Sequence, residues 1–205
     1  MTAAILFMKS LIIGVAIAAP VGPVGILCIQ RTLTYGRRTG FISGLGAATA
    51  DALYGLIAVM GLTIVSGFLL SHQFWIQLWG GLFLFLLGWR TFSTPPSAKV
   101  TDRPHTTSRL KGFLSVFLLT LTNPMTVLAF IAIFGMFRVA GSEDIGTALT
   151  VVFGVFFGSA IWWGFLALIG GWISSRMGKS SLRMINRLAG IILTIFSVLF
   201  LIDLL

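Results

Sequence analysis

The sequence predicts an all-α integral membrane protein with six transmembrane helices. Of its 205 residues, 57% are hydrophobic and only 9% are charged, whereas a water-soluble domain carries about 25% charged residues. A membrane-spanning helix needs roughly 20 mostly apolar residues. The chain is therefore long enough for several spans, and we expect one membrane domain without a separate soluble domain.

Six apolar runs, each nearly free of charge, define the expected spans. They are Ser10 to Gln30, Phe41 to Leu70, Phe74 to Trp89, Gly112 to Phe137, Ile145 to Ser175 and Leu188 to Ile202. The longest polar segment (93–111) contains prolines and basic residues and is predicted to be a linker. The chain then divides into a first three-helix half (1–92), this linker and a second three-helix half (112–205).

Basic residues are distributed unevenly between the loops and predict the orientation of the chain. The loops after spans 1, 3 and 5 carry 12 Lys and Arg residues, and the opposite side carries 2. Because basic loops stay in the cytoplasm, we expect the linker inside and both termini outside. Each half has three spans, so the second half begins on the opposite side from the first. Two such halves form an inverted repeat, an architecture found in secondary transporters.

Composition also excludes several kinds of partner and cofactor. The formal charge of +9 is explained by the basic loops, so we expect no nucleic-acid partner. Cys28 is the single cysteine, which excludes an intrachain disulfide and a dithiol redox pair. His72 and His105 lack the spacing of metal ligands, so we expect no metal site and no cofactor. A membrane-embedded enzyme is not expected either, since paired catalytic groups are missing.

Two proline-containing breaks interrupt the predicted helices. Pro20, Gly22 and Pro23 lie about ten residues into span 1, and Asn123 and Pro124 lie about eleven residues into span 4. A proline inside a helix removes a backbone hydrogen bond, and the freed groups cannot face lipid. Paired breaks at corresponding points of two halves indicate a substrate site near the midplane. The alternative is that the prolines only kink the helices.

Asp51 is the single acid inside an uninterrupted apolar run. A charge at that depth costs at least ~2.5 kcal/mol on insertion scales. Tyr54 shares its helix face, and a stripe of small residues beside it predicts close helix packing. We therefore expect Asp51 to point into the bundle, where it binds substrate or a proton, or else only hydrogen-bonds a neighbouring helix. The stripe consists of Gly36, Gly40, Gly44, Ala48 and Ala52.

Span 5 contributes two further features. Trp162 and Trp163 lie near its middle, away from the interface where Trp is usually found. Trp162 is a candidate wall of an internal cavity, where a substrate ammonium group could contact the ring, although plain packing explains it as well. Gly154 and Gly158 form a small-residue pair that would allow a homodimer.

Hydroxyl groups surround the second break. They either satisfy the broken backbone or bind a polar substrate, and they belong to Thr120, Thr122 and Thr126.

Taken together, these residues resemble the LysE/RhtB (lysine exporter) family of bacterial amino-acid efflux proteins. The resemblance rests on residues 19–23 (APVGP), residues 31–36 (RTLTYG), the glycines leading to Asp51, and the Asn123-Pro124 pair, and it covers about residues 5–205. It implies an exporter of the bacterial inner membrane that moves an amino acid or a closely related small metabolite, driven by the proton gradient. The form PVGPVGILCI is typical of the broader LysE-type translocators and does not indicate which amino acid is moved.

Two alternative functions remain open. A divalent-cation exporter is one, because Asp51, Asn123 and freed carbonyls are oxygen ligands suited to hard cations, although one acid compensates little of a double charge. A non-transporting membrane assembly protein is the other, and it would show no flux. In each case the lipid bilayer is an expected partner, and for a transporter a small-molecule substrate is another.

Overall fold

The computed structural model describes residues 3–19, 22–59, 71–93, 106–123, 126, 145–176 and 178–202. Within these ranges the chain forms seven α-helices and no β-strand, which confirms the all-α prediction. The helices are α1 (Ala3–Ala18), α2 (Pro23–Tyr35), α3 (Arg37–Val59), α4 (Gln73–Ser93), α5 (Thr106–Leu121), α6 (Ile145–Ser174) and α7 (Lys179–Ile202).

Three stretches of helix are long and apolar enough to cross a membrane alone, namely Arg37–Ile57, Ile145–Ser174 and Ser180–Leu199. Helices α1 and α2 together pass the same test, but their axes are bent by 82° across the interruption between them. The described residues thus contain three clear spans, or four if the bent pair forms one span. The predicted spans Phe41 to Leu70 and Gly112 to Phe137 both continue into residues outside the described ranges.

Several helices begin before the apolar runs that predicted them. Helix α5 begins at Thr106, inside the segment assigned to the linker, and α7 begins at Lys179. Basic residues near these helix starts, such as Arg109 and Arg183, precede the apolar run but belong to the same helix. Long basic side chains can extend along the helix towards water, so a charged first turn is compatible with a membrane helix.

Four helix contacts dominate the packing of the described residues. Helix α1 packs against α6, and α5 packs against α3. The two central helices, α3 and α6, pack against each other, and so do α4 and α7. If α1 corresponds to α5, α3 to α6 and α4 to α7, the first two contacts exchange with each other and the last two map onto themselves. Helix α2 lies among α3, α6 and α7.

Glycines bring the helix backbones together at two of these contacts. A Cβ atom added to Gly154 or Gly158 of α6 would collide with α1, at Gly158 with the backbone of Leu11. On the opposite pair, a Cβ atom at Gly46 of α3 would collide with the backbone of α5 at Phe113. Helix α1 covers both glycines, so Gly154 and Gly158 are not the exposed small-residue pair that would allow a homodimer.

The outer surface of the bundle is apolar. Large hydrophobic side chains are exposed along α4, α6 and α7, and three tryptophans of α4 (Trp75, Trp79 and Trp89) are each more than half exposed. Apolar surface of this extent is unfavourable in water, whereas it is compatible with lipid, where Trp also anchors helix ends. The exposed side chains therefore identify the lipid-facing sides of these helices.

Candidate functional site

Asp51 lies on α3 and is 3% exposed, which confirms that it points into the bundle. The Ser159 hydroxyl of α6 donates a hydrogen bond to Asp51 Oδ2 at 2.7 Å. Trp163 Nε1 donates in turn to Ser159 Oγ at 3.1 Å. Gly44 leaves space for the Trp163 side chain, because a Cβ atom at position 44 would collide with it. The acid is thus held at the contact between the two central helices by neutral donors.

The first break lies where the sequence predicts it. Helix α1 ends at Ala18, and α2 begins at Pro23 with Gly22 as its N-cap. Proline suits the first helical position because the N–H it lacks would have no partner inside the helix. The N-terminus of α2 carries no side-chain cap. Among the described residues, no atom lies within 4 Å of a Cβ atom added at Gly22. Pro20 lies outside the described residues.

The second break follows the end of α5 at Leu121. The last carbonyls of a helix have no partner within the helix, and the Leu121 carbonyl accepts a hydrogen bond from the Tyr54 hydroxyl at 2.6 Å. Beyond it, the Thr126 amide donates to the Asn123 carbonyl at 3.1 Å, and Asn123 is partly buried. Pro124 lies outside the described residues.

The threonines before the second break bond to their own helix. Thr120 Oγ1 donates to the Val116 carbonyl, and Thr122 Oγ1 donates to the Leu118 carbonyl, both at 2.9 Å. These bonds favour the interpretation that the hydroxyl groups satisfy backbone carbonyls near the break.

Helix α3 is linked to both breaks through residues on either side of Asp51. Ala48, about one turn before it, belongs to the same buried cluster as Ala18 and Val24, which flank the first break. Tyr54, about one turn after it, binds the end of α5 at the second break. Helix α3 therefore connects the two breaks, and it carries the buried acid between them.

Trp162 differs from its neighbour Trp163 in having an unsatisfied indole. Its ring packs against the cluster that contains Ala18 and Val24. Its Nε1 atom is buried and is the one buried side-chain polar atom without a hydrogen-bond partner in the described part of the chain. A buried indole N–H usually has an acceptor. This donor is therefore available to a polar group that enters the bundle beside the first break.

A cavity of about 700 Å³ lies between α2, α4 and α5, and the sequence did not indicate it. Three cations line it, namely Arg31, Arg90 and Lys111, together with Gln30 and Ser115. In the sequence-based prediction these cations are only loop charges that indicate topology. Because α2 continues to Tyr35, Arg31 is one turn inside a helix rather than in a loop. The adjacent polar residues Gln30 and Arg31 at the end of an apolar run are the feature from which a polar site could have been predicted.

Buried polar side chains between broken helices, inside a bundle with an apolar outer surface, are typical of membrane transporters. The model of the family described as LysE type translocator matches residues 15–204. The chain therefore belongs to the LysE-type translocators and is a transporter. No solved structure matches it.

Similar proteins occur in two bacteria. The chain is 30% identical to "Putative amino acid efflux protein YcgF" of Bacillus subtilis (strain 168), over 95% of this chain and 94% of that protein. It is 28% identical to "Uncharacterized membrane protein YahN" of Escherichia coli (strain K12), over 82% of this chain and 77% of the relative. It is also 27% identical to "Uncharacterized membrane protein YrhP" of Bacillus subtilis, over 93% and 98%.

Proposed function

We propose that this transporter exports an amino acid or a closely related small metabolite across the bacterial inner membrane, driven by the proton gradient. Membership of the LysE-type translocators and the similarity to an amino acid efflux protein support the substrate class. The observation that carries the proposal is the position of Asp51, which is buried between two helix breaks with Ser159 as its hydrogen-bond partner.

Asp51 links substrate and proton by competition. A buried carboxylate needs its charge compensated, and either a proton or the ammonium group of an amino acid can do this, but not both at once. A proton that arrives from outside therefore displaces the ammonium group, and a substrate that arrives from inside displaces the proton. Alternation between the two gives export of substrate in exchange for protons.

We propose supporting roles for the other predicted site residues. The unsatisfied Trp162 N–H is placed to donate to a polar group of the substrate, and Tyr54 fixes the end of α5. The start of α2 after Gly22 and Pro23 has no side-chain cap, so the backbone N–H groups of Val24 and Gly25 can face a substrate, as at the discontinuous helices of other transporters. We assign Asn123 to the same site, together with Pro20 and Pro124 on the sequence argument alone.

We also propose that the two halves form an inverted repeat of six spans, with both termini outside and the linker (93–111) in the cytoplasm. The helix packing supports this arrangement because its four most extensive contacts are preserved when the halves are exchanged. The division of basic residues, 12 against 2, supports the orientation.

Reconstitution into proteoliposomes tests the function. Vesicles preloaded with L-leucine, L-serine, L-lysine, Mn²⁺ or Cd²⁺ are given a proton gradient directed inward, and release is followed. We expect release of at least one amino acid and faster release with the gradient than without it. Metal release without amino-acid release would overturn the proposal, and no release of any kind would favour an assembly protein.

Cysteine probes test whether the breaks share one site. In a Cys28→Ala background, the variants Gly22→Cys and Asn123→Cys are treated with a thiol reagent, with and without the transported amino acid. We expect protection at both positions. Gly178→Cys is the matched control, because Gly178 is exposed, lies between the end of α6 and the start of α7, and likewise has no described atom within 4 Å of an added Cβ atom. Protection at neither break would indicate simple kinks.

A further inference from the structure

Arg31 is held in a fixed position by three neutral acceptors. Its Nη1 donates to Ser43 Oγ of α3 at 3.2 Å and to the Gly112 carbonyl of α5 at 2.8 Å. Its Nη2 donates to Ser115 Oγ at 2.7 Å. A guanidinium has five N–H donors, so part of its donor capacity remains unused among the described residues. The side chain lines the cavity between α2, α4 and α5.

The charge of Arg31 has no acidic partner in the described part of the chain. Asp51 is the single acid there, and it lies eight residues beyond Ser43 on α3, about 12 Å further along the helix. Lys111 lines the same cavity from an exposed position and adds positive charge. The guanidinium of Arg31 is partly buried, and a charge in such a position is unfavourable unless an opposite charge compensates it. The cavity, at about 700 Å³, has the size of a small-molecule site.

We propose that Arg31, assisted by Lys111, forms a cytoplasm-facing site that binds the carboxylate of the substrate before the substrate reaches Asp51. This inference rests on the proposed function. The planar guanidinium matches a carboxylate with two parallel hydrogen bonds, and its bonds to α3 and α5 hold it in place for that role. In an amino acid the carboxylate and the α-ammonium group are attached to one carbon atom. They cannot span about 12 Å of helix, so Arg31 and Asp51 bind the substrate one after the other.

The test compares carboxylates with matched molecules that lack the charge. L-Leucine, L-serine and L-lysine are each paired with their primary amide and their decarboxylated amine. Binding to the purified protein is measured as a shift in thermal unfolding, and half-saturation of efflux is measured in proteoliposomes. We expect the amino acids to stabilise the protein at concentrations about 10-fold to 100-fold lower than the amides. Equal stabilisation by acid and amide would overturn the proposal.

Variants locate the effect. Arg31→Lys keeps the charge but loses the planar fork, and Lys111→Gln removes the second cation without disturbing the bonds of Arg31. We expect both to raise the half-saturating amino-acid concentration, the first by at least 10-fold, and to leave the response to the amines unchanged. Arg38→Gln is the matched control, because this exposed arginine does not line the cavity. An effect of Arg38→Gln as large as that of Arg31→Lys would contradict a specific site.

The competing explanation is that Asp102, and not a substrate, compensates the charge of Arg31. Asp102 lies outside the described residues, four positions before the start of α5. If Asp102 were the fixed partner of Arg31, Asp102→Asn would lower the unfolding temperature as much as Arg31→Gln, and the double variant would be no less stable than either. That pattern would overturn the proposal. Failure of the proposed function has a different result: no amino acid is released, although carboxylate-dependent stabilisation is still seen.

Discussion

The replacement Asp51→Asn separates the chemistry of this residue from its packing. Asparagine has the same shape as aspartate and retains an oxygen that can accept the 2.7 Å hydrogen bond from Ser159. Interhelical hydrogen bonds in membranes average about 0.6 kcal/mol, so we expect the free energy of unfolding to change by less than about 1 kcal/mol. The variant loses the negative charge and the ability to exchange a proton.

The loss of charge should abolish coupled transport. A hydrogen bond to a charged group contributes about 1.5–3 kcal/mol, which corresponds to roughly 10-fold to 150-fold in ammonium binding. We expect release of amino acid driven by a proton gradient to fall by at least that factor in proteoliposomes, with expression and thermal unfolding close to wild type. If Asp51→Asn released amino acid at the normal rate across the pH range, the assignment of Asp51 to substrate or proton binding would be refuted.

Ser159→Ala is the matched control for this experiment. It removes the hydroxyl that joins Asp51 to Trp163 but leaves the acid in place. Two buried polar groups then lose their partner, at a cost of about 1–3 kcal/mol each. We expect a clear loss of stability with efflux per folded molecule largely retained, which is the reverse of the Asp51→Asn result. If Asp51→Asn also lost stability and retained efflux, Asp51 would have only a structural role.

Three further predictions concern packing, the second break and orientation. Gly158→Ala should lower the stability measured by thermal unfolding by about 1–3 kcal/mol, because a Cβ atom there collides with the backbone of α1. Gly164→Ala should be neutral, because Gly164 has room for a Cβ atom at ordinary contact distance. Equal losses of stability in the two variants would contradict the close contact between α1 and α6. Tyr54→Phe should lower the free energy of unfolding by about 1 kcal/mol in the same assay and reduce efflux, because the Leu121 carbonyl loses its donor. An unchanged unfolding temperature would mean that this hydrogen bond does not stabilise the protein. A reporter enzyme fused after Leu205 should be active only in the periplasm, and activity in the cytoplasm would reverse the proposed orientation.

The sequence was sufficient to predict features that depend on local chemistry. Apolar runs predicted helices because backbone groups in lipid must bond within their own segment. A proline in such a run predicted the break before Pro23, because its ring and missing N–H are incompatible with a continuous helix. The burial of Asp51 followed from the cost of placing a charge against lipid. Each of these inferences needs a few neighbouring residues.

Features that depend on distant parts of the chain could not be predicted in this way. Gly154 and Gly158 form a small-residue pair on any reading, but a helix about 145 residues away in sequence decides what covers them. Ser159 gave no sign that it binds Asp51, since a single serine in an apolar helix often bonds to its own backbone. Arg31 was placed in a loop because charge ended the apolar run, and only the helix end at Tyr35 shows that it lies inside α2.

The arrangement of Arg31 and Asp51 describes one stage of a transport cycle under the proposed function. The cavity beside Arg31 does not reach Asp51, because Asp51 is absent from its lining. One packed cluster contains Leu27, which is one turn before Arg31, Ala48, which is about one turn before Asp51, and Val116, which is next to Ser115; all three are at most 1% exposed. Well-packed side chains leave no room for a substrate to pass, so under the proposed function α2, α3 or α5 must move before an amino acid can exchange its contact with Arg31 for one with Asp51. Ser159 and Trp163 connect α3 to α6 through Asp51. If Asp51 binds a proton and an ammonium group in turn, as proposed, each exchange alters the contact between the two central helices and can thereby open that apolar layer.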